Sequence, residues 1–243
     1  KYKSLKNIST NNNGSIINNT NDVLIEILKE NPDKQLTSAE LLKIYNEQLN
    51  EYSELKLVEL DERTLSSRLS RIENTIMGYH QTVRYYDYSK ISNENIKVLE
   101  DMLNLDDGFY STDYLFKNNK SFMKEINIFD CYELHNLLKY KIDDDENNVY
   151  FIRMPNFLVC YEDKNEFLID KINEYAPISL EDFVDMLHDD YGHYKPTMLA
   201  YIGQYLSEYL NDNILETTTY LIDNDIREKL VKNLHDDIYS TKY

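Results

Sequence analysis

The strongest constraint on this chain is the stretch from Asn31 to Lys90, where helical periodicity twice gives way to turn signals and then ends in a hairpin-like run. Leu41, Leu42, Tyr45 and Leu49 fall on one helix face, and Leu65, Leu69 and Ile72 recur at i, i+4 and i+7. Just upstream, Val23, Leu24, Ile27 and Leu28 give another such stripe. Thr37 to Glu40 has the form of a capping box: the hydroxyl accepts from a free backbone N–H while the glutamate reaches back to the cap. A helix should therefore start at Ser38. The run from Ile76 to Tyr86 then reads as two short strands joined by a turn.

Charge is distributed unevenly around this stretch. The net charge is −18; residues 1–21 carry three lysines and no acid, residues 22–90 carry 9 basic and 13 acidic side chains, and residues 91–243 carry 14 and 31. A field that negative repels nucleic acid and anionic membrane at long range, so any contact with DNA must use a local basic patch and must be salt-sensitive. Residues 56–90 hold six basic and five acidic side chains, including four of the six arginines: Arg63, Arg68, Arg71 and Arg84. No apolar run approaches the roughly 18 residues that span a bilayer. The first residues contain no signal-peptide pattern, and the expected location is cytoplasmic. The abundance of Asn, Lys, Ile and Tyr suits AT-rich bacterial coding.

The order of helices, turn and hairpin from Leu36 to Tyr86 resembles the winged helix-turn-helix superfamily, and most closely a bacterial tandem winged-helix protein. This resemblance implies a third helix in the major groove of duplex DNA and a wing against the backbone. By position it places Arg63, Thr64, Ser67, Ser70 and Arg71 at the groove and Arg84 on the wing. A helical projection agrees on orientation. With Leu65, Leu69 and Ile72 inward, Arg63, Ser67 and Ser70 lie opposite, Thr64 and Arg71 lie to one side, and Arg68 falls at the core boundary. Arginine suits such positions because its planar fork bonds phosphate or guanine in two places.

The pattern is expected to recur twice, giving three tandem winged-helix-like domains of mainly α structure with short β-hairpins: residues 22–90, 91–160 and 161–243, after a disordered leader or linker at 1–21. In the second, Ile96, Leu99 and Leu103 start a helix, Ser111 to Phe116 and Tyr132 to Leu138 supply two more, and Val149 to Ile152 with Phe157 to Cys160 form the hairpin across the turn Arg153 to Asn156. In the third, Phe167, Leu168 and Ile172 mark one helix, Ser179 caps the next, Gly192 ends it, and Pro196 suits the first turn of another because its missing N–H has no partner there. Ile214 to Ile222 is β-prone, and Ile226, Leu230 and Leu234 mark a closing helix. Beginning at Lys1 and not Met, the sequence reads as a piece of a longer protein. The third helices of copies two and three carry few cations; Tyr194, Tyr201, Tyr205 and Tyr209 fall at helical spacings that suit contact with a protein partner or self-association.

Catalytic and cofactor signatures are weak. Cys131 and Cys160 have no CxxC spacing, and His188 and His193 are five apart where a helical metal pair needs four. His235-Asp236-Asp237 is no stronger. Five glycines form neither GxGxxG nor GxxxxGK[ST]. The expected role is that of a non-enzymatic module without a metal or cofactor, binding double-stranded DNA in transcription regulation or recognition. The alternative is an acidic interaction scaffold or oligomerisation module.

Overall fold

A computed structural model of the chain describes residues 9–10, 16–69, 71–142 and 148–217. Ser70, the Asn-rich run at 11–13, the acidic run at 143–146, the β-prone residues beyond 217, the closing helix and the sequence His235 to Asp237 lie outside the described residues. The chain is a mixture of helices and small antiparallel sheets, divided into two compact units. The first comprises Lys1–Asn104 with Phe116–Asp143, and the second Leu105–Leu115 with Asp144–Tyr243.

The first unit opens with β1 (Ser9–Thr10) paired antiparallel to β2 (Ile16–Ile17). This corrects the expectation of a wholly disordered leader, since Ile17 is buried in the core. Helix α1 (Thr20–Glu30) starts behind Asn19, whose side chain accepts from the Asn21 and Asp22 amides. Helix α2 (Ser38–Gln48) begins at the anticipated capping box: Thr37 Oγ1 accepts from the Glu40 amide at 3.2 Å, and Glu40 Oε2 accepts from the Thr37 amide at 2.8 Å. Helix α3 (Glu62–Leu69) follows, then the hairpin β3 (Thr75–Met77) and β4 (Val83–Tyr85). On its other edge β4 takes Leu36, whose N–H and carbonyl both bond Val83 at 2.8 Å. Leu24, Leu28, Leu36, Leu41, Tyr45, Leu65, Leu69 and Val83 share one core beneath these elements.

Helices α4 (Asn93–Met102), α6 (Lys120–Glu125) and α7 (Cys131–Lys141) complete the first unit; α5 (Thr112–Asn118) runs across its boundary with the second. Asp130 caps α7 by accepting from the Tyr132 and Glu133 amides, and α7 lies against the β3–β4 hairpin, with Asn136 Nδ2 donating to the Met77 carbonyl at 3.0 Å.

The second unit contains the sheet β5 (Gly108–Ser111), β7 (Asn156–Val159), β6 (Val149–Phe151), in that spatial order. Helices α8 (Lys164–Tyr175), α9 (Leu180–Tyr191) and α10 (Lys195–Tyr205) follow, with a second small sheet in the order β8 (Ile178–Ser179), β10 (Ile214–Leu215), β9 (Leu210–Asn211). Ser179 caps α9 by accepting from Asp182, Gly192 ends it in the left-handed region, and Pro196 sits in the first turn of α10. Phe109, Phe167, Phe183, Leu187 and Ile202 form the centre of its core.

One topological statement covers all three stretches. A helix, a strand or single bridge, further helices and a hairpin follow one another, and the hairpin's second strand always lies between its first strand and the early one: Leu36 with β4 and β3, then β5-β7-β6, then β8-β10-β9. The middle stretch contains two elements absent from the sequence reading, β5 and α6. Gly108, Phe109, Tyr110 and Ser111 are all buried, so the polar-apolar alternation that betrays a half-exposed strand is missing.

Candidate nucleic-acid interface

Helix α3 gets its start from Asp61, whose Oδ1 accepts from the Thr64 amide at 2.7 Å; these bonds hold the carboxyl below the usual carboxylate range. Its inward face is apolar, with Leu65 fully buried, Leu69 at 2% exposure and Ile72, just past its end, at 8%. That fixes the opposite face toward solvent. Arg63, Thr64 and Ser67 on α3 and Arg71 in the following turn are all exposed. The orientation is the one the i, i+4, i+7 spacing dictates.

These residues border an open concavity lined by Asn21, Arg63, Thr64, Ser67, Arg68 and Arg71. Arg68 closes its inner side, donating from Nη1 to Asn21 Oδ1 at 3.2 Å, while its buried Nε–H has no hydrogen-bond partner among the described residues. Among the described residues none of Arg63, Arg68 and Arg71 forms a salt bridge; Asp61, whose carboxyl feels the Arg63 charge, is already engaged as the helix cap. Three guanidinium groups thus share one concave surface, and among the described residues a neutral amide is the only side-chain acceptor bonded to them. Sequence reading assigned Arg68 to the core boundary and overlooked Asn21, because the pairing spans 47 positions.

Arg84 is a correction. It is fully buried, with its Nε donating to Glu133 Oε1 and its Nη2 to Glu133 Oε2, both at 2.7 Å, and with Nη2 also donating to the Asn127 carbonyl. The guanidinium carbon lies 4.0 Å from the centroid of the Phe129 ring. On a strand, neighbouring side chains point to opposite faces. Val83 enters the core under α1 to α3, and Arg84 points to the other face, which α7 covers. A wing phosphate cannot reach it in this arrangement.

Helix α7, the fourth helix of the middle stretch because α6 precedes it, is likewise withdrawn from solvent along much of its length: Glu133, Leu134, His135, Leu137 and Leu138 are buried. In the last stretch, Tyr194 and Tyr205 are 69% and 57% exposed, Tyr201 is half-buried with its hydroxyl donating to Asn165 Oδ1 at 2.6 Å, and Tyr209 is buried at 7%. Tyr209 therefore leaves the set of contact tyrosines, because the short helical turn Ser207–Tyr209 folds it into the core beside Leu206 and Leu215. His188 and His193 close the end of α9: His188 Nδ1 donates to the His193 carbonyl at 2.7 Å, and the buried His193 donates from Nε2 to the Phe109 carbonyl at 2.8 Å. Burial pushes the His193 imidazole down to about 4, so it is neutral at pH 7.

No protein-family model matches the chain, and no curated protein matches it in sequence.

Proposed function

We propose that the chain is a non-enzymatic recognition module of three winged-helix-like copies, 22–90, 91–160 and 161–243, that binds duplex DNA through α3 of the first copy and serves transcription regulation in a bacterial cytoplasm. The observation that carries this reading is the convergence of Arg63, Arg68 and Arg71 on one concave face, without salt bridges among the described residues, in a chain of net charge −18. Positive charge without a salt bridge among the described residues is available to an external anion. The polar Thr64 and Ser67 between the arginines keep the helix face narrow enough for close approach to a groove. The recurrent strand order supports the copy structure. Among the described residues no helix is long and apolar enough to cross a membrane.

Three phosphate contacts predict a salt slope of about −2.7 in log K against log salt, at about 0.9 per contact. Fluorescence anisotropy with a labelled duplex, read at low and near-physiological salt, tests this. Arg63→Ala with Arg71→Ala should weaken binding and bring the slope to about −0.9. Absence of binding at both salts, or equal binding by the double variant, sinks the DNA reading.

A second reading, an acidic scaffold that binds a protein or itself, is favoured by the exposed Tyr194 and Tyr205 in the strongly acidic part of the chain. Sedimentation at increasing concentration, with Tyr194→Ala as the control, separates self-association from a monomer.

A further inference from the structure

A second group of cations, in the second unit, also forms no salt bridge among the described residues. Lys164 is the first residue of α8, at the positive end of the helix dipole, where a cation is disfavoured. Its ammonium is partly desolvated and sits 3.8 Å from the centroid of the Tyr201 ring. Burial lowers its pKa, and Arg153, exposed in the β6–β7 turn, is close enough to lower it further. Asp163 acts on Lys164 in the opposite sense but is already engaged as the α8 cap, accepting from the Asn165 amide at 2.9 Å. Among the described residues neither Arg153 nor Lys164 forms a salt bridge. Two cations lie within electrostatic reach of each other while the region from residue 91 onward holds more than two acids for every base.

Beside them lies an aromatic platform. The Tyr201 ring is fixed by its hydroxyl bond to Asn165 and by the lysine above it, and the Tyr205 ring lies 4.7 Å away at 36°, largely exposed. Neighbouring cations with an open aromatic face match the two chemical components of a nucleotide in an unpaired strand, a phosphate and a base with a free π-face. In a duplex the base faces are already stacked. An acidic peptide would satisfy the cations and leave the platform unused.

We propose that Arg153, Lys164, Tyr201 and Tyr205 form a site for a short stretch of single-stranded nucleic acid, one that does not depend on the α3 face. Phosphates contact Arg153 and Lys164, and a base stacks on Tyr205 over the support of Tyr201. With two phosphate contacts the salt slope should be about −1.4, at about 0.7 per contact for single strands.

The test uses the full chain and a labelled ten-nucleotide oligothymidylate, with anisotropy read at low and near-physiological salt. Tyr205→Ala and Arg153→Gln alter exposed side chains and should leave the circular dichroism spectrum unchanged. Tyr205→Ala should weaken binding about tenfold at constant slope. Arg153→Gln should reduce the slope to about −0.7, and adding Lys164→Gln should bring it near zero. Arg63→Ala with Arg71→Ala should leave oligothymidylate binding unchanged, which separates this site from the duplex site. The proposal is overturned if wild type does not bind at low salt, if Tyr205→Ala binds as wild type does, if loss follows the α3 double variant instead, or if polyglutamate binds the same cations with no dependence on Tyr205.

Discussion

Replacing Glu133 by alanine should be among the most damaging single substitutions in the first unit, and the network around it sets the magnitude. Glu133 is fully buried, and each of its carboxylate oxygens accepts two hydrogen bonds: Oε1 from Arg84 Nε at 2.7 Å and Gln35 Nε2 at 2.9 Å, Oε2 from Arg84 Nη2 at 2.7 Å and the Phe129 amide at 2.9 Å. The first turn of α7, where it sits, favours a carboxylate. Glu133→Ala leaves the Arg84 guanidinium buried with no countercharge, and removing one partner of such a pair costs about 3 to 5 kcal/mol. Removing both charges, with Arg84→Met and Glu133→Leu together, eliminates the uncompensated ion. It still leaves the Phe129 N–H without its acceptor, at about 1 to 3 kcal/mol. The double variant should therefore be less destabilised than the sum of its two single substitutions, with a coupling of at least about 2 kcal/mol. Urea unfolding followed by circular dichroism measures all four corners of the cycle, provided the dependence on urea is unchanged. A loss below about 1 kcal/mol for Glu133→Ala, or additivity of the two substitutions, would refute the buried pair as the element joining α7 to the hairpin. The double variant should also bind duplex DNA as wild type does, since Arg84 is not at the surface.

Leu69, at 2% exposure beneath the arginine face, should lose about 2 to 5 kcal/mol on Leu69→Ala, read as a shift in the urea midpoint. Gly192 has φ +78°, and a Cβ there would lie 2.6 Å from Tyr114 Cβ and 2.8 Å from its amide nitrogen, so Gly192→Ala should cost at least about 2 kcal/mol in the same assay. His193 adds a pH dependence of known sign. Its folded pKa, about 4, lies below the ordinary 6.5, so the stability it confers is full above pH 6.5 and is lost as pH falls toward 4. The slope is about 1.4 kcal/mol per pH unit across that window, and it should disappear in His193→Leu when midpoints at pH 7 and 5 are compared.

The parts of the fold legible in the sequence are those whose causes lie within a few residues. The Thr37 capping box, the Ser179 cap, the Gly192 stop, the Pro196 start and the inward run of Leu65, Leu69 and Ile72 are local chemistry, so spacing alone places them. The outward direction of Arg63, Ser67 and Arg71 follows for the same reason, because fixing one face of a helix fixes the other. Tertiary structure decided what partners a charge finds. Arg84 reads in sequence as one more cation of a basic hairpin, and only the arrival of Glu133, 49 positions away, turns it into a buried structural group. The concavity of α3 likewise needs Asn21 from another helix, and Tyr209 is drawn inward by a turn whose core contacts are distant in sequence. Periodicity reports which face of an element is apolar; it cannot report what covers the opposite face, because that depends on packing between segments the chain brings together only when it folds.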